Sequence, residues 1–361
     1  MTPLRYVRLC AMLLLLAPAL GRTTQAAVPA GRLALLRHGL NMVHWFRYPA
    51  DPHPAALARG VPRATLERIH AAGFDFLRLP VQPHLVAGEA GRRALASAIR
   101  RILGAGFAVV VVPADPRWRL NDPGFDARLI ARFWRRIAPV LARFGPARVF
   151  PEIDNEPILT DRAAWPPMQA RLLALIRHDL PADTVIATGG AFGGVDGLLR
   201  LKKLADSDVI YAFHFYEPSL LTALGAFDPA LDHTALARLP FPVRTPRRCA
   251  AQAIRPGTDA RTRAVIRYYC AAHATAATLK ARVDGVARWA QGAPVIVGEF
   301  GASVALDGPA RLAWLAAARR AFEADGFGWA LWAWRDPMGL PAGLDPATLR
   351  ALGLPPAEGR R

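Results

Sequence analysis

The alternation of short β-rich runs with helical periodicity is the feature that most constrains how this chain can fold. Eight β-rich runs can be placed along it, at positions 39–46, 74–80, 107–113, 149–155, 184–188, 209–216, 294–300 and 328–334. Amphipathic stretches separate them, at positions 63–72, 92–103, 126–143, 163–177, 261–290 and 311–324. This order is typical of βαβ units, whose strands run parallel.

Several of the β-rich runs are apolar throughout. Positions 109–112 are consecutive valines, and positions 295–297 read Val-Ile-Val, as in strands that are covered on both faces. Eight such strands with helical crossovers predict a closed (β/α)8 TIM barrel, an α/β fold, as a single domain over residues 31–355. A doubly wound open sheet is the alternative, but the Gly-rich turn expected after its first strand is absent.

The N-terminal residues have the layout of a secretory signal peptide. Arg5 and Arg8 precede an apolar run at positions 9–20, and small residues follow it. An uncleaved membrane anchor is the alternative, but a bilayer span needs about 20 apolar residues, more than this run has. We predict a signal peptide over residues 1–27, export to the periplasm or the medium, and no stable membrane insertion of the mature protein.

Cleavage of the signal peptide would remove Cys10 and leave Cys249 and Cys270. Two cysteines in an exported protein predict one disulfide, and two free thiols are the alternative. Cys249 lies in the longest irregular stretch, positions 218–256, which is rich in proline. The disulfide would fix this stretch to the following helix.

The formal net charge of +18 comes almost entirely from arginine, since Lys202, Lys203 and Lys280 are the only lysines. The arginines are spread through the predicted helices, and no nucleic-acid-binding motif accompanies them, so we predict no nucleic-acid partner. The histidines and cysteines show no metal-ligand spacing. We therefore predict neither a metal site nor a cofactor.

In a TIM barrel the reactive groups lie at the C-terminal ends of the strands. Two of the strands end in glutamates, Glu156 on strand four and Glu299 on strand seven. Glycoside hydrolysis uses such a pair of carboxyl groups, about 5–5.5 Å apart for retention of configuration and about 6.5–9.5 Å apart for inversion. The sequence alone does not give this distance.

The motifs at these strand ends resemble glycoside hydrolase family 5, and the resemblance covers nearly the whole mature chain. They are Asn-Glu-Pro at positions 155–157 and Gly-Glu-Phe-Gly at positions 298–301. The resemblance implies that Glu156 is the acid/base, that Glu299 is the nucleophile and that configuration is retained. It also implies that Asn155 binds the sugar 2-OH and that Arg78, on strand two, holds the nucleophile ionised.

Aromatic and histidine side chains complete the predicted site. Tyr216 can donate a hydrogen bond to the nucleophile, and His214, on the same strand face, can set the protonation of Glu156. Trp332 matches the family tryptophan that stacks on the sugar at the cleavage point. Further stacking candidates, of which we expect about half to be packing residues, are Trp45, Phe46, Tyr48, Trp118, Trp165 and Trp334.

The chain departs from the family pattern after strand three, where the family has a histidine that contacts the sugar. Asp115 stands there instead. This departure concerns substrate preference more than bond cleavage. His44 and His84, at the ends of strands one and two, are candidates to compensate.

Together these features predict a monomeric, cellulase-like endo-β-1,4-glucanase that acts on a β-linked polysaccharide or oligosaccharide. A β-mannanase and an exo-acting β-glycosidase are the alternatives within the enzyme class. A glycan-binding barrel that has lost turnover is the alternative from another class.

Overall fold

The computed structural model describes residues 27–115, 123–159 and 161–355. The predicted signal peptide, apart from its last residue, and Trp118 lie outside the described residues.

Eight parallel strands form one sheet in the order β4-β3-β2-β1-β8-β7-β6-β5. Their bounds are β1 His38–Asn41, β2 Phe76–Val81, β3 Ala108–Pro113, β4 Val149–Pro151, β5 Val185–Thr188, β6 Val209–Phe215, β7 Val295–Phe300 and β8 Gly328–Leu331. The sheet closes between β4 and β5 through a bridge from Glu152 to Ile186. The predicted (β/α)8 barrel is therefore confirmed.

Helices connect the strands and cover the outside of the barrel. Their bounds are α1 Ala30–Leu33, α2 Val43–Phe46, α3 Pro54–Arg59, α4 Arg63–Ala71, α5 Glu89–Gly104, α6 Pro123–Leu141, α7 Trp165–Asp179, α8 Val195–Leu199, α9 Ser219–Thr222, α10 His233–Leu236, α11 Pro246–Ala253, α12 Ala260–Ala271, α13 Ala276–Ala290, α14 Gly308–Ala324 and α15 Pro346–Ala351. Short 3-10 helices lie at Pro83–Val86, Ala142–Phe144 and Arg162–Ala164. None of the described helices is long and apolar enough to cross a membrane.

The barrel interior is apolar near the N-terminal ends of the strands. Because side chains alternate across a strand, Phe76 of β2 points into this interior cluster while Leu77 belongs to the larger cluster between strands and helices. Val110 and Phe150 fill the same interior layer from β3 and β4. Arg78 follows Phe76 by two residues, so its charged side chain lies above an apolar floor.

Three predicted strands extend too far. The run 39–46 contains β1 followed by the helix α2, and β4 ends at Pro151, before the predicted end at residue 155. The run 328–334 continues past the end of β8 at Leu331. The amino-acid pattern explains the first error, because a short apolar run fits a buried helix as well as a strand. The second error arises because the backbone leaves the hydrogen-bonded pairing of the sheet once it has passed the bridge at Glu152.

The stretch 218–256 has more structure than its composition predicts, since it contains α9, α10 and α11. The predicted disulfide is present and joins Cys249 of α11 to Cys270 of α12, with Cα atoms 5.6 Å apart. The predicted helical stretch 261–290 is divided into α12 and α13. Thr275 caps α13 by accepting a hydrogen bond from the Thr278 backbone N–H, and Thr278 returns the contact in a capping box.

Candidate active site

Arg78 organises the bottom of the site from a position with no solvent exposure. Its Nε and Nη2 donate to the two carboxylate oxygens of Glu152 at 2.7 and 2.8 Å. Nη1 donates to Asn41 Oδ1 at 2.9 Å and to Glu299 Oε1 at 2.7 Å, and Nη2 also donates to Asn155 Oδ1 at 2.8 Å. All five N–H groups of the guanidinium are therefore used.

A bulge in β7 aims Glu299 into the barrel. The pairing of β7 with β8 shifts between Val297 and Phe300, and the pairing with β6 shifts between Phe213 and His214. Bulges re-aim side chains in this way and are common next to active sites. Glu299 is 3% exposed, and its second oxygen accepts a hydrogen bond from the Tyr216 hydroxyl at 3.0 Å.

His214 links the two predicted catalytic glutamates. Its Nδ1 lies 2.9 Å from Glu156 Oε1 and 3.4 Å from Glu299 Oε2. The facing oxygens of the two glutamates lie within 4.8 Å of each other. The Nε2 atom of His214 is buried and has no hydrogen-bond partner among the described residues. We therefore place the ring proton on Nδ1, where it is shared between the carboxylates.

Close packing holds the His214 ring in this orientation. A Cβ atom on Gly298 would lie 3.3 Å from both Cδ2 and Nε2 of the ring. Gly193, whose φ of +65° suits glycine, accepts a hydrogen bond from the His214 backbone N–H at 2.8 Å. A larger residue at position 298 would press on the ring, and one at position 193 would strain the backbone because of its positive φ.

Burial and charge act in opposite directions on Glu156. Burial raises the pKa of its carboxyl, while the hydrogen bond from His214 and the charges of His214, Arg47 and Arg78 lower it, and the net pKa lies below the ordinary value. Tyr216 responds differently, since burial and the nearby Glu299 and Glu156 raise its pKa well above the ordinary value. Its hydroxyl therefore stays protonated and acts as a hydrogen-bond donor.

A comparison of the sequence with protein-family models identifies the family. The model described as Cellulase (glycosyl hydrolase family 5) matches residues 58–337. The chain belongs to glycosyl hydrolase family 5.

Individual relatives of this family-5 chain are distant. Endoglucanase H of Acetivibrio thermocellus is 24% identical over 178 residues, which cover 46% of this chain but 19% of that protein. Endoglucanase Cel5A of Thermotoga maritima superposes with a TM-score of 0.71 at 19% identity, covering 89% of this chain and 98% of that one. Cellulose synthase subunit Z of Clostridioides difficile superposes with a TM-score of 0.70 at 21% identity, covering 88% and 99%. These structures share the fold.

The residues that the family resemblance selected are brought together at the C-terminal ends of the strands. Arg78, Asn155, Glu156, His214, Tyr216 and Glu299 form the hydrogen-bonded group described above. Trp332 follows β8 and is partly exposed. The guanidinium carbon of Arg47 lies 5.0 Å from the centre of its ring. The catalytic and binding roles assigned to these side chains stay predictions.

Asp115 lies in a small pocket, with a volume of about 50 Å³, beside the predicted acid/base. The other residues that line it are Arg47, Ala114, Asp154, Asn155, Glu156 and Ile158. Burial, with the nearby Glu152 and Glu156, raises the pKa of Asp154 to about 8, although a backbone hydrogen bond and Arg78 oppose this. Asp154 is therefore mostly uncharged at neutral pH, so the pocket contains fewer negative charges than its composition suggests.

The other side chains that were predicted to contact the sugar lie outside the hydrogen-bonded group around Arg78 and Glu299. Trp45 is 3% exposed, and its indole N–H donates to the Leu57 carbonyl at 2.8 Å. His44 is exposed and lines a second pocket with Tyr48 and Trp334. Of the other aromatic candidates that the structure describes, Phe46 and Trp165 are buried. His84 is exposed on the 3-10 helix after β2.

Sequence reasoning missed four residues of the site, which are Asn41, Arg47, Glu152 and Asp154. Asn41 and Glu152 carried a usable signal, since each is a polar residue at the end of an apolar strand. Asp154 carried the same signal. Arg47 carried none, because it is one of many arginines and follows a segment predicted as strand.

Among the residues that the structure describes, three side chains lie close enough together to bind a metal ion, and they are Glu156, His214 and Glu299. They are the acid/base, its histidine neighbour and the nucleophile of the predicted reaction. The Nδ1 atom of His214 lies between the two carboxylates, so a cation bound there would have to replace its contacts with them. Metal-independent chemistry stays a prediction.

Proposed function

We propose that this family-5 protein is a retaining endo-β-1,4-glucanase. The observation that carries the proposal is the pair Glu156 and Glu299, whose facing oxygens lie within 4.8 Å of each other at the barrel mouth. Facing oxygens this close agree with the roughly 5–5.5 Å between the carboxyl groups of a retaining pair, whereas an inverting pair stands about 6.5–9.5 Å apart to leave room for a water molecule.

In the first step Glu299 attacks the anomeric carbon while the glycosidic C–O bond breaks. The protonated form of Glu156, which is the minor form in the free protein because its pKa lies below the ordinary value, gives its proton to the leaving oxygen, and a glycosyl ester on Glu299 results. Arg78 and Tyr216 donate hydrogen bonds to opposite oxygens of Glu299. These contacts hold the carboxylate charged and fix its orientation before the sugar arrives.

In the second step a water molecule attacks the anomeric carbon and releases Glu299 as a carboxylate. Glu156 accepts the proton from this water. Formation of the ester removes the negative charge of Glu299 from the neighbourhood of Glu156, which lowers the pKa of Glu156 and favours its role as a base. The same carboxyl therefore acts as acid and then as base.

Relatives support a β-1,4-glucan as the substrate. The curated relative is named an endoglucanase, and solved structures of the Thermotoga maritima neighbour contain cellobiose. Another structure of that neighbour contains mannotriose, so a β-mannan is the second candidate. Of the two, the glucan is favoured because it is the substrate that these relatives are named for.

Hydrolysis by the purified protein tests the proposal. We expect cleavage of carboxymethylcellulose and lichenan, with viscosity falling faster than reducing ends appear, as in endo action. Glucomannan and laminarin complete the panel. Glu299→Gln should lose activity, while Glu67→Gln, which removes an exposed carboxylate paired with Arg63, should keep it. Binding of these glycans without hydrolysis of any would instead support the glycan-binding alternative.

We also propose that the protein is exported after cleavage of residues 1–27. The disulfide between Cys249 and Cys270 supports this, because disulfides persist mainly in oxidising compartments. The mass of the protein recovered from periplasm and medium should equal that of a chain beginning near residue 28. Recovery of the full-length chain from the cytoplasm with free thiols would contradict the proposal.

A further inference from the structure

Arg47 lies beside the predicted acid/base Glu156, and within the described residues it forms no salt bridge, although the two charges interact. It lies at the end of α2 and lines the same pocket as Asn155 and Glu156. Its Nε atom is buried and has no hydrogen-bond partner among the described residues. Its recorded contacts are with aromatic rings, 5.0 Å from the Trp332 centroid and 5.2 Å from the Tyr48 centroid.

Arg47 differs from Arg78 in how its N–H donors are paired. The five N–H donors of Arg78 all have acceptors, whereas within the described residues the Arg47 guanidinium has neither a hydrogen bond nor a salt bridge. A buried polar group without a partner costs free energy. A ligand that supplied acceptors to Arg47 would recover that free energy on binding.

Arg47 also covers a face of the ring that is predicted to carry the sugar. A sugar that reaches this face of Trp332 meets the guanidinium, which stacks there as a cation on an aromatic ring. Within the described residues, none of the carboxyl groups nearby forms a salt bridge with Arg47. Glu156 lies close enough for its charge to interact with Arg47, and Asp154 is mostly uncharged at neutral pH because burial raises its pKa to about 8.

We propose that Arg47 is a specificity residue that binds a carboxylate carried by a sugar beside the cleaved bond. The planar fork of the guanidinium matches a carboxylate in a bidentate contact. The substrate would then be an acidic β-glycan, a class that the net charge of +18 would also attract over longer distances. This inference rests on the proposed glycosidase function and specifies its substrate.

The test compares oligosaccharides that differ only in charge. β-1,4-Linked glucuronic acid oligomers and cello-oligosaccharides of equal length share the linkage and the ring configuration, but the former carry a carboxylate at C5. Carboxymethylcellulose, whose carboxylates sit on ether-linked arms, forms a third arm. Faster cleavage of the glucuronic acid oligomers would assign the carboxylate to the ring, and faster cleavage of carboxymethylcellulose would assign it to a substituent.

Arg47→Gln should lower kcat/KM for the acidic substrate by about tenfold to a hundredfold, the range for a lost hydrogen bond to a charged group. The loss for cello-oligosaccharides should be smaller, so the preference for the acidic substrate, measured as the ratio of the two kcat/KM values, should fall. Arg47→Lys should recover part of the loss, because it keeps the charge without the planar fork. Arg320→Gln, which removes an exposed positive charge on α14, should change neither substrate.

Binding measurements keep the result interpretable if a variant is poorly active. Calorimetry with Glu299→Gln and with the double variant Glu299→Gln, Arg47→Gln should show weaker binding of the acidic oligomer only in the double variant. Equal loss of both ligands, or a wild type that cleaves cello-oligosaccharides and rejects both acidic substrates, would overturn the role of Arg47 and leave the glycosidase proposal standing. If the wild type cleaves no β-glycan at all, both proposals fail.

Discussion

The two halves of the site differ in how completely their polar groups are paired. Around Arg78 and Glu299 every guanidinium N–H has an acceptor, and both oxygens of the nucleophile accept hydrogen bonds. Around Arg47 and Trp332 the guanidinium stacks on rings, and its Nε has no described partner. The first half is complete without substrate, and the second half lacks acceptors that substrate can supply.

The paired half of the site is suited to bond cleavage, and the unpaired half is suited to substrate recognition. A nucleophile held by fixed donors needs no reorganisation when charge develops in the transition state. A partly exposed pocket with an unpaired cation gains contacts only when a ligand enters it. We therefore expect substitutions in the paired half to lower kcat or stability for every substrate, and substitutions in the unpaired half to change the ranking of substrates.

The largest effect should follow from Glu156→Ala. Loss of the acid should lower kcat for cello-oligosaccharides by about 10²- to 10⁴-fold, the usual contribution of general acid–base catalysis. The first step on 2,4-dinitrophenyl glycosides should stay close to the wild-type rate, because that leaving group needs no proton. Pre-steady-state release of dinitrophenol measures this, and an equal loss on both substrate types would contradict the acid role.

Arg78→Lys should come next and should act on stability as well as on activity. Lysine supplies three donors where arginine supplies five, so buried oxygens of Glu152, Asn155 or Glu299 would lose a partner. We expect the free energy of unfolding to fall by about 3 kcal/mol, measured by urea denaturation. Arg63→Lys, in an exposed pair with Glu67, should change it by less than about 1 kcal/mol. Similar small changes in both variants would show that the Arg78 group is not tightly coupled.

Tyr216→Phe should have a smaller effect that is confined to turnover. It removes one of the hydrogen bonds to Glu299, so kcat should fall by about ten- to a hundredfold. Its melting temperature should stay close to that of Tyr268→Phe, a control at an exposed position. A Tyr216→Phe enzyme with full kcat would show that the remaining contacts are sufficient to hold the nucleophile.

The smallest effect on turnover is expected from Asp154→Asn, whose effect on stability should depend on pH. Because burial raises the folded-state pKa of Asp154 from 3.8 to about 8, its protonated form favours folding, and this contribution is lost as pH rises through that window. The variant should match wild-type stability near pH 4 and exceed it at pH 9, with a gain that grows across that window. Asp307→Asn, at an exposed helix N-cap, should show no such pH-dependent gain. A constant difference across the pH range would contradict the raised pKa.

The paired half was also the half that the sequence predicted well. Parallel strands of a barrel bring their C-terminal ends to one face, so Arg78, His214 and Glu299 had to meet once the strands were identified. The partners Asn41 and Glu152 follow the same rule and could have been found. The β7 bulge could not, because Gly-Glu-Phe reads as ordinary strand and the extra residue shows only in the pairing with β6 and β8.

The unpaired half escaped prediction for a physical reason. Residue 47 follows a run that fits strand or helix equally well, and its side-chain position depends on α2, which the periodicity did not show. The position of the Trp45 side chain also depends on α2, which turns its ring into the core against Leu57. Contacts set by loops and short helices depend on tertiary packing, so local sequence carries little information about them.

Trapping the covalent intermediate tests the central claim most directly. A 2-deoxy-2-fluoro cellobioside with a dinitrophenyl leaving group slows release of the ester, so the sugar should stay on the nucleophile. Digestion and tandem mass spectrometry should place the added sugar mass on Glu299 and show none in the Glu299→Gln variant. A label on Glu156, or hydrolysis that inverts the anomeric configuration without any label, would contradict the account.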